Sequence, residues 1–470
     1  MCPPCQKGKE VFSVKTYDAI VIGFGKGGKT LAGALGAAGK QVALIERSPA
    51  MYGGTCINVG CIPSKSLVHS AALSKVQGGS FAEKAARYRE AIAEKRRLTG
   101  ALRQKNYDKL AGNPNVQVID GAASFLGPHA VQVTDGAGQV QLLEGENIFL
   151  NTGSHPFVPP IPGLQGNPRV YLSEGLLDLE ELPRRLAIIG GGYIGMEFAS
   201  LYTSFGSQVT VIQDGARFLP REDGEIAQAV LQRLQSLGAE VLLSTQVKEV
   251  REEGGQAILA LETPDGPREL QADAVLVATG RRPNVEGLAL DAAGVELTER
   301  GAVKVDERLH TTAPHIWAMG DVVGGLQFTY ISLDDSRIVR SQLLGDGSRT
   351  TQNRGAVPYS VFLDPAFSRV GLSEEEARAK GYRVKVARLA AAAIPKAQVL
   401  QNPVGLLKAV VDGETGRILG AHLFCEESYE MINLIKLAMD AGLPYTALRD
   451  GIYTHPTMSE ALNDLFAALA

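Results

Sequence analysis

The residues YDAIVIGFGKGGKTLAGALGAAGKQVALIERS, 17 to 48 of a 470-residue chain, return in the same order of parts as RRLAIIGGGYIGMEFASLYTSFGSQVTVIQDG at 184 to 215. Each copy reads as a buried apolar strand, a glycine turn, a small-residue helix and a second strand, which is a βαβ unit. A repeat on this scale is a repeat of domains rather than of solenoid turns, and it implies two dinucleotide-binding domains. The length agrees, because a single core stops growing well before this size and roughly two to four domains are expected.

In the first copy Gly23, Gly25 and Gly28 fit GxGxxG directly after an apolar strand and before a helix. Such glycines permit a tight turn and close approach of backbone to a pyrophosphate at the helix N-terminus. Glu46 ends the next strand, 18 residues after Gly28, where an acid accepts hydrogen bonds from a ribose 2′-hydroxyl. In the second copy Gly190, Gly192 and Gly195 have the same context, but the residue 18 places on is Gln213. A carboxylate there would repel a 2′-phosphate, whereas glutamine tolerates either ribose form. Arg217 and Arg221 are either phosphate partners or solvated surface residues. The second nucleotide is therefore expected to be NADH or NADPH, with a slight lean to NADPH.

Apolar residues make up 45% of the chain and charged residues 21%, with a net charge of −4 and no basic stripe. That leaves no footprint for nucleic acid or an anionic membrane. The apolar runs fall short of the roughly 18 residues that cross a bilayer. MCPPCQKGKE at the start has no apolar h-region, so a cytoplasmic, reducing setting is expected. Five cysteines are too sparse for a disulfide framework. Two of them, Cys56 and Cys61, stand in GGTCINVGCIPSK, residues 53 to 65, as a staple, a metal clip or a working redox pair. Closing so short a loop stabilises a chain by about 2 kcal/mol, little for a chain of this size. Cys2 and Cys5 form a Cys-x-x-Cys in the tail, either a soft-metal or disulfide-exchange site or a pair of incidental thiols. Cys425 reads as a buried small apolar residue.

Between these landmarks, residues 66 to 110 read as one or two long exposed helices, and four prolines between 156 and 162 mark a crossover between domains. ADAVLVATGRRPN (272 to 284) and HIWAMGDVVGG (315 to 325) are strands that stop at glycine. From about 355, strand-like runs mixed with helices suggest an α+β domain with an antiparallel sheet. The expected divisions are a tail over 1–16, a first dinucleotide domain over 17–155 that resumes over 284–352, a second over 156–283, and a C-terminal domain over 353–470.

GGTCINVGCIPSK after the first GxGxxG, GGGYIGMEFAS in the second, ATGRRPN, Gly320–Asp321 and the terminal HPTMSE together resemble the FAD-dependent pyridine nucleotide-disulfide oxidoreductases, over nearly the whole chain after residue 16. The resemblance implies an α/β fold of two Rossmann-like domains, for FAD and NAD(P), plus a C-terminal α+β dimerisation domain. It makes Cys61 the flavin-proximal charge-transfer thiol and Cys56 the interchange thiol. It pairs Lys65 with Glu197 near flavin N5, although an ordinary structural ion pair reads equally well from the residues. His455 and Glu460 become an acid/base dyad whose histidine serves the other subunit of a homodimer. Gly54, Thr55, Lys65, Gly153, Gly320 and Asp321 fall to FAD, and Gly280 joins the nicotinamide set.

Within the family, IGFGKGGKTLA, FLPRED, LHTTAPHIWAMGDVVGGLQFTYISLDDSRIV, SVFLDP and AGLPY resemble the bacterial reactive-chlorine-resistance flavoproteins, also described as hypothiocyanous acid reductases. The implied reaction is NAD(P)H-driven reduction of a small electrophilic oxidant. Reduction of copper or mercury ions and dihydrolipoyl dehydrogenase activity are the alternatives. The mercury reading is disfavoured, because the last cysteine is Cys425 and the tail carries no further pair.

Overall fold

A computed structural model describes residues 14–469. They form two compact units. The first runs to Pro63 and resumes over Arg96–His155 and Arg281–Arg354; the second comprises Ser64–Lys95, Pro156–Gly280 and the chain from Gly355.

The first unit is built on the strand Val14–Ile22, which pairs in parallel with Val42–Glu46 on one side and Val140–Leu150 on the other. Its sheet runs Val116–Asp120, Val42–Glu46, Val14–Ile22, Val140–Leu150, Ala130–Thr134, Ala122–Phe125, and Ile316–Ala318 also joins Val140–Leu150 in parallel. Successive residues of the central strand enter opposite cores. Ile20 and Ile22 pack with Ala43, Ile45, Ile148 and Leu150, while Ala19 and Val21 pack with Leu31 and Leu35 of the helix Lys26–Ala37. A strand covered on both faces needs an unbroken apolar run, which is the pattern of AIVI in the sequence. The helix meets Thr329–Leu344 at backbone distance: the Gly27 N–H donates to Ser332 Oγ at 3.0 Å, and a Cβ on Gly27 would stand 2.7 Å from the Ser332 carbonyl oxygen.

Asn151 ties these pieces together at the end of Val140–Leu150. Its Oδ1 accepts from the Gly28 N–H at 2.8 Å, and its Nδ2 donates to the Met319 carbonyl at 2.7 Å and to Ser332 Oγ at 3.2 Å. The residue is buried.

The second unit contains the second βαβ frame, a parallel sheet in the order Glu240–Leu242, Gln208–Ile212, Arg185–Ile189, Ala274–Val277, Val170–Tyr171. It also holds a three-stranded antiparallel meander over Gln246–Ala272. Its C-terminal part is the expected antiparallel sheet, ordered Tyr359–Val361, Phe367–Gly371, Ile418–Phe424, Leu406–Asp412, Val384–Ala390. Residues 66 to 110 do form two helices, Cys61–Gln77 and Phe81–Ala111. They are less exposed than their charged composition suggests, because Leu67, Ala71, Tyr88 and Ile92 enter the core around Leu176, Tyr202 and Phe205. The Tyr88 and Tyr202 hydroxyls meet at 3.0 Å and reach the carbonyls of Leu179 and Leu176, so neither is buried without a partner.

Replacing Asn151 removes one acceptor and two donor contacts from a buried position and leaves the Gly28 N–H and the Met319 carbonyl without this side chain. Asn151→Ala is expected to cost about 3 kcal/mol. Thermal unfolding of the variant should show a clearly lowered midpoint, and a midpoint equal to that of the parent would contradict the role given to this side chain.

Candidate active site

In the first unit the cysteine segment is mated to the first glycine turn. Gly53 and Gly54 have φ of +94° and +82°, and a Cβ on Gly54 would lie 2.6 Å from the Gly25 Cα, so two backbones touch where no side chain fits. One helical turn, Thr55–Asn58, then carries Cys56, and the Asn58 amide closes it by donating to the carbonyls of Tyr52 at 3.0 Å and Gly54 at 2.9 Å. Cys61 opens the helix Cys61–Gln77, with its Sγ 3.4 Å from Thr329 Oγ1. The two cysteines stand as thiols, Cys56 half-buried and Cys61 exposed. A hydrogen bond with Cys61 pushes the Cys56 thiol up, and burial adds to the shift. Cys61 stands at a helix start, where the helix dipole favours a thiolate.

Around them the residues fit a flavin dinucleotide. Gly23 has φ +107°, and a Cβ there would stand 2.3 Å from the Asn151 carbonyl oxygen; one on Gly28 would stand 2.2 Å from the Gly23 carbonyl oxygen. Gly25 begins the helix Lys26–Ala37 without a side-chain acceptor, the arrangement by which a helix N-terminus receives a pyrophosphate. Glu46 accepts from the N–H groups of Phe24 at 3.0 Å and Ser48 at 3.2 Å, while burial raises its carboxyl above the usual range. Gly153, with φ +74°, accepts from the Asn284 N–H at 2.9 Å. Gly320, also at φ +74°, opens the 3-10 turn Gly320–Val323 after the strand Ile316–Ala318, and Asp321 in that turn accepts from Ser154 Oγ at 2.8 Å. Arg281 donates to the same hydroxyl at 2.8 Å and to the Ser154 carbonyl at 2.6 Å. Burial raises the Asp321 carboxyl despite both neighbours.

The second unit repeats the turn. A Cβ on Gly190 would lie 2.5 Å from the Ala278 carbonyl oxygen and one on Gly195 2.1 Å from that of Gly190, and Gly192 caps Tyr193–Phe205 without a side-chain acceptor. Gln213 Oε1 accepts from the Gly191 N–H at 2.8 Å, and its amide donates to Asp214 at 3.0 Å. Gly280 holds φ +118° and accepts from the Phe157 N–H at 2.9 Å. Arg217 faces Glu375 at 3.9 Å, while Arg221 gives its carbonyl to Arg369 at 2.6 Å. Tyr193 and Tyr359 share Glu222 as acceptor, Tyr359 at 2.7 Å.

Lys65 Nζ lies 2.6 Å from Glu197 Oε2 and 4.7 Å from the centre of the Phe362 ring, and the Phe362 N–H donates to the other Glu197 oxygen at 2.9 Å. His455 Nδ1 lies 2.9 Å from Glu460 Oε2, with the imidazole 71% exposed, and Glu460 Oε1 accepts from the Thr457 N–H at 3.1 Å. The bond from His455 is the main reason the Glu460 carboxyl stays below the ordinary range. With Nδ1 occupied, Nε2 is the ring's outward nitrogen.

Cys2 and Cys5 lie outside the described residues. Among the described residues no group of three or more His, Cys, Asp or Glu is placed to hold a metal ion, and no helix is long and apolar enough to cross a membrane. Sequence reading passed over Asn151, Lys29, Thr329, Ser332 and Arg281. For Asn151 alone a local signal exists, a polar residue directly after the apolar strand IFL and before a glycine.

The pyridine nucleotide-disulphide oxidoreductase model matches residues 17–336, and the dimerisation domain of the same family matches 357–466. The chain is 52% identical over 451 residues to the probable pyridine nucleotide-disulfide oxidoreductase RclA of Escherichia coli, covering 96% of this chain and 99% of that protein. A solved structure, the Cu(II) complex of the HOCl-induced flavoprotein disulfide reductase RclA from Escherichia coli, is similar at a TM-score of 0.92 and 50% identity over 97% of this chain and 100% of that one. Mercuric reductase of Staphylococcus aureus is 34% identical, over 95% of this chain and 81% of its own length. The chain belongs to the pyridine nucleotide-disulphide oxidoreductases and is, as a member, an oxidoreductase working with FAD and a nicotinamide dinucleotide.

Proposed function

We propose that this enzyme reduces a small electrophilic oxidant, hypothiocyanous acid first, in the cytoplasm and at the expense of NADH or NADPH. The observation that carries the reading is the pair of hydrogen-bonded thiols pressed against a dinucleotide turn, one of them exposed at a helix start. The relative induced by HOCl supports the class of oxidant.

The thiol chemistry balances as a two-electron step. Cys56 thiolate attacks the sulfur of HOSCN; a sulfur–sulfur bond forms, the sulfur–oxygen bond breaks, and hydroxide leaves as water with the proton that Cys56 gave up to His455. Cys61 thiolate then attacks the Cys56 sulfur, expels thiocyanate and closes the disulfide. Gly23, Gly25, Gly28, Glu46, Gly54, Thr55, Gly153, Gly320 and Asp321 would hold FAD, which when bound would supply the electron pair that returns the disulfide to the dithiol. Gly190, Gly192, Gly195, Gln213 and Gly280 would hold the nicotinamide dinucleotide, and the Lys65–Glu197 pair would serve hydride delivery. The proton on Cys56 passes to Nε2 of His455 from a second copy of the chain, with Glu460 fixing the tautomer. Leu434, Leu437 and the fully exposed Ile452 give the C-terminal region apolar side chains suited to association of two copies.

The Cu(II) complex of the relative favours a second reading, in which the same dithiol passes electrons to copper. A substrate panel separates these readings and tests dihydrolipoyl dehydrogenase activity. HOSCN should drive fast NADPH or NADH oxidation, whereas dihydrolipoamide with NAD⁺ should yield almost no NADH.

Two variants test the roles. Cys56→Ser should abolish HOSCN-dependent nicotinamide oxidation while the Cys61 thiolate still gives its charge-transfer band with the flavin; undiminished turnover would sink the assignment. Because the His455 bond holds the Glu460 carboxyl low, falling pH leaves it ionised until below the ordinary carboxylate range, so the dyad persists through the working range. Glu460→Gln should therefore lower kcat by about a hundredfold at every pH in that range while the KM for the nucleotide stays near its parent value. A kcat within twofold of the parent would remove Glu460 from the mechanism.

A further inference from the structure

Among the described residues, Lys29 is a cation with only neutral hydrogen-bond partners. It stands in the first turn of Lys26–Ala37, half-buried, and its ammonium donates to Asn106 Oδ1 at 2.6 Å and to the Gly53 carbonyl at 3.3 Å. The Asn106 amide nitrogen is itself bound to the Leu102 carbonyl at 2.7 Å, so the oxygen is the end that faces the lysine. The charged groups acting on Lys29 are Lys26 and Lys109, both cations, and Cys56. Burial, with Lys26 next, pulls the ammonium down to about 8, and Cys56 alone among these neighbours favours its charged form. The effect is reciprocal, since Lys29 favours the Cys56 thiolate. A half-buried ammonium among cations is costly unless an anion accompanies it, and of the groups acting on Lys29 only Cys56 ionises to an anion.

We infer that Lys29 is the countercharge of Cys56, a positioning residue whose ammonium raises the thiolate fraction of the cysteine that meets the oxidant. The assignment rests on the reading of Cys56 as the substrate-facing thiol. Its physical need follows from the pair: once Cys61 carries a negative charge, a second charge on Cys56 is opposed by the first, and a fixed cation nearby offsets that opposition. Lys29 reaches Cys56 through the Gly53 carbonyl, so the residue that orients the cation belongs to the segment that carries the thiol. Neutral acceptors suit the task, because a carboxylate bound to Lys29 would cancel its field at the sulfur.

The test uses the FAD-loaded, anaerobically reduced enzyme and follows iodoacetamide labelling of each cysteine peptide by mass spectrometry across pH. Lys29→Gln keeps donors for Asn106 and Gly53 but removes the charge, and it should move the midpoint of Cys56 labelling up by roughly one pH unit, about tenfold less thiolate at neutral pH. Lys29→Arg should restore the midpoint. If glutamine disturbs folding, as judged by flavin content and melting, Lys29→Met is the second charge-free variant, its apolar chain suiting a half-buried position. A midpoint unmoved in whichever charge-free variant folds overturns the proposal. So does an equal shift in Lys29→Gln and Lys29→Arg, the mark of a structural role, or a loss of FAD affinity with the Cys56 midpoint unchanged. Labelling of the parent enzyme at Cys61 in place of Cys56 would instead break the assignment of the substrate-facing thiol, an outcome visible without any Lys29 variant.

Discussion

The close approach of Gly54 to Gly25 is the constraint from which the first unit takes its form. With 2.6 Å between a would-be Cβ and a backbone carbon, neither loop can shift outward without losing the contact or inward without a clash. The cysteine segment therefore inherits its position from the first nucleotide turn. That turn is in turn held by Asn151, which accepts from Gly28 while holding the Met319 strand end through its amide. The thiols are built on the same rigid frame as the dinucleotide cradle, and a two-electron relay between them needs no loop to close first.

The second βαβ unit repeats the turn of the first with one change of charge. In both copies the residue ending the second strand accepts from the N–H that follows the first glycine, Glu46 from Phe24 and Gln213 from Gly191. Both copies also forbid a side chain on the first and last glycine, by carbonyl oxygens at 2.1–2.5 Å from a would-be Cβ. The backbone frame is common. The strand-end group is a carboxylate in one and an amide in the other, so the charge presented to a ribose edge differs while the turn does not. Asp214, held by the Gln213 amide, returns a negative charge one residue farther along.

Sequence patterns made the two βαβ frames and the C-terminal antiparallel sheet legible, because each rests on local periodicity: unbroken apolar strands where both faces are covered, and apolar runs broken by polar turns in the C-terminal sheet. The helices over 66 to 110 were legible as helices but not in their burial. A narrow stripe of Leu67, Ala71, Tyr88 and Ile92 among many charged residues gives a weak amphipathic signal. The polar hubs were not legible at all, because they act across the chain. Thr329 meets Cys61 across 268 residues, Asn151 meets Met319 across 168, and Lys29 meets Asn106 across 77. No local pattern marks a single polar side chain whose partner is set by tertiary packing.

Charge placement at the thiols follows from the same packing. In the proposed relay a dithiol that presents one thiolate to a flavin and another to an oxidant faces a repulsion that burial makes worse, and Cys56 is the more buried of the two. Helix geometry serves Cys61 but not Cys56, whose own helix is a single turn. What remains for Cys56 is a side-chain cation, and it has to be anchored without a carboxylate. The first glycine turn already brings the helix Lys26–Ala37 against the cysteine segment, so a lysine one residue past Gly28 reaches the Gly53 carbonyl from a helix that cannot move. The backbone contact that fixes the position of the thiols thus also fixes the distance at which their countercharge stands.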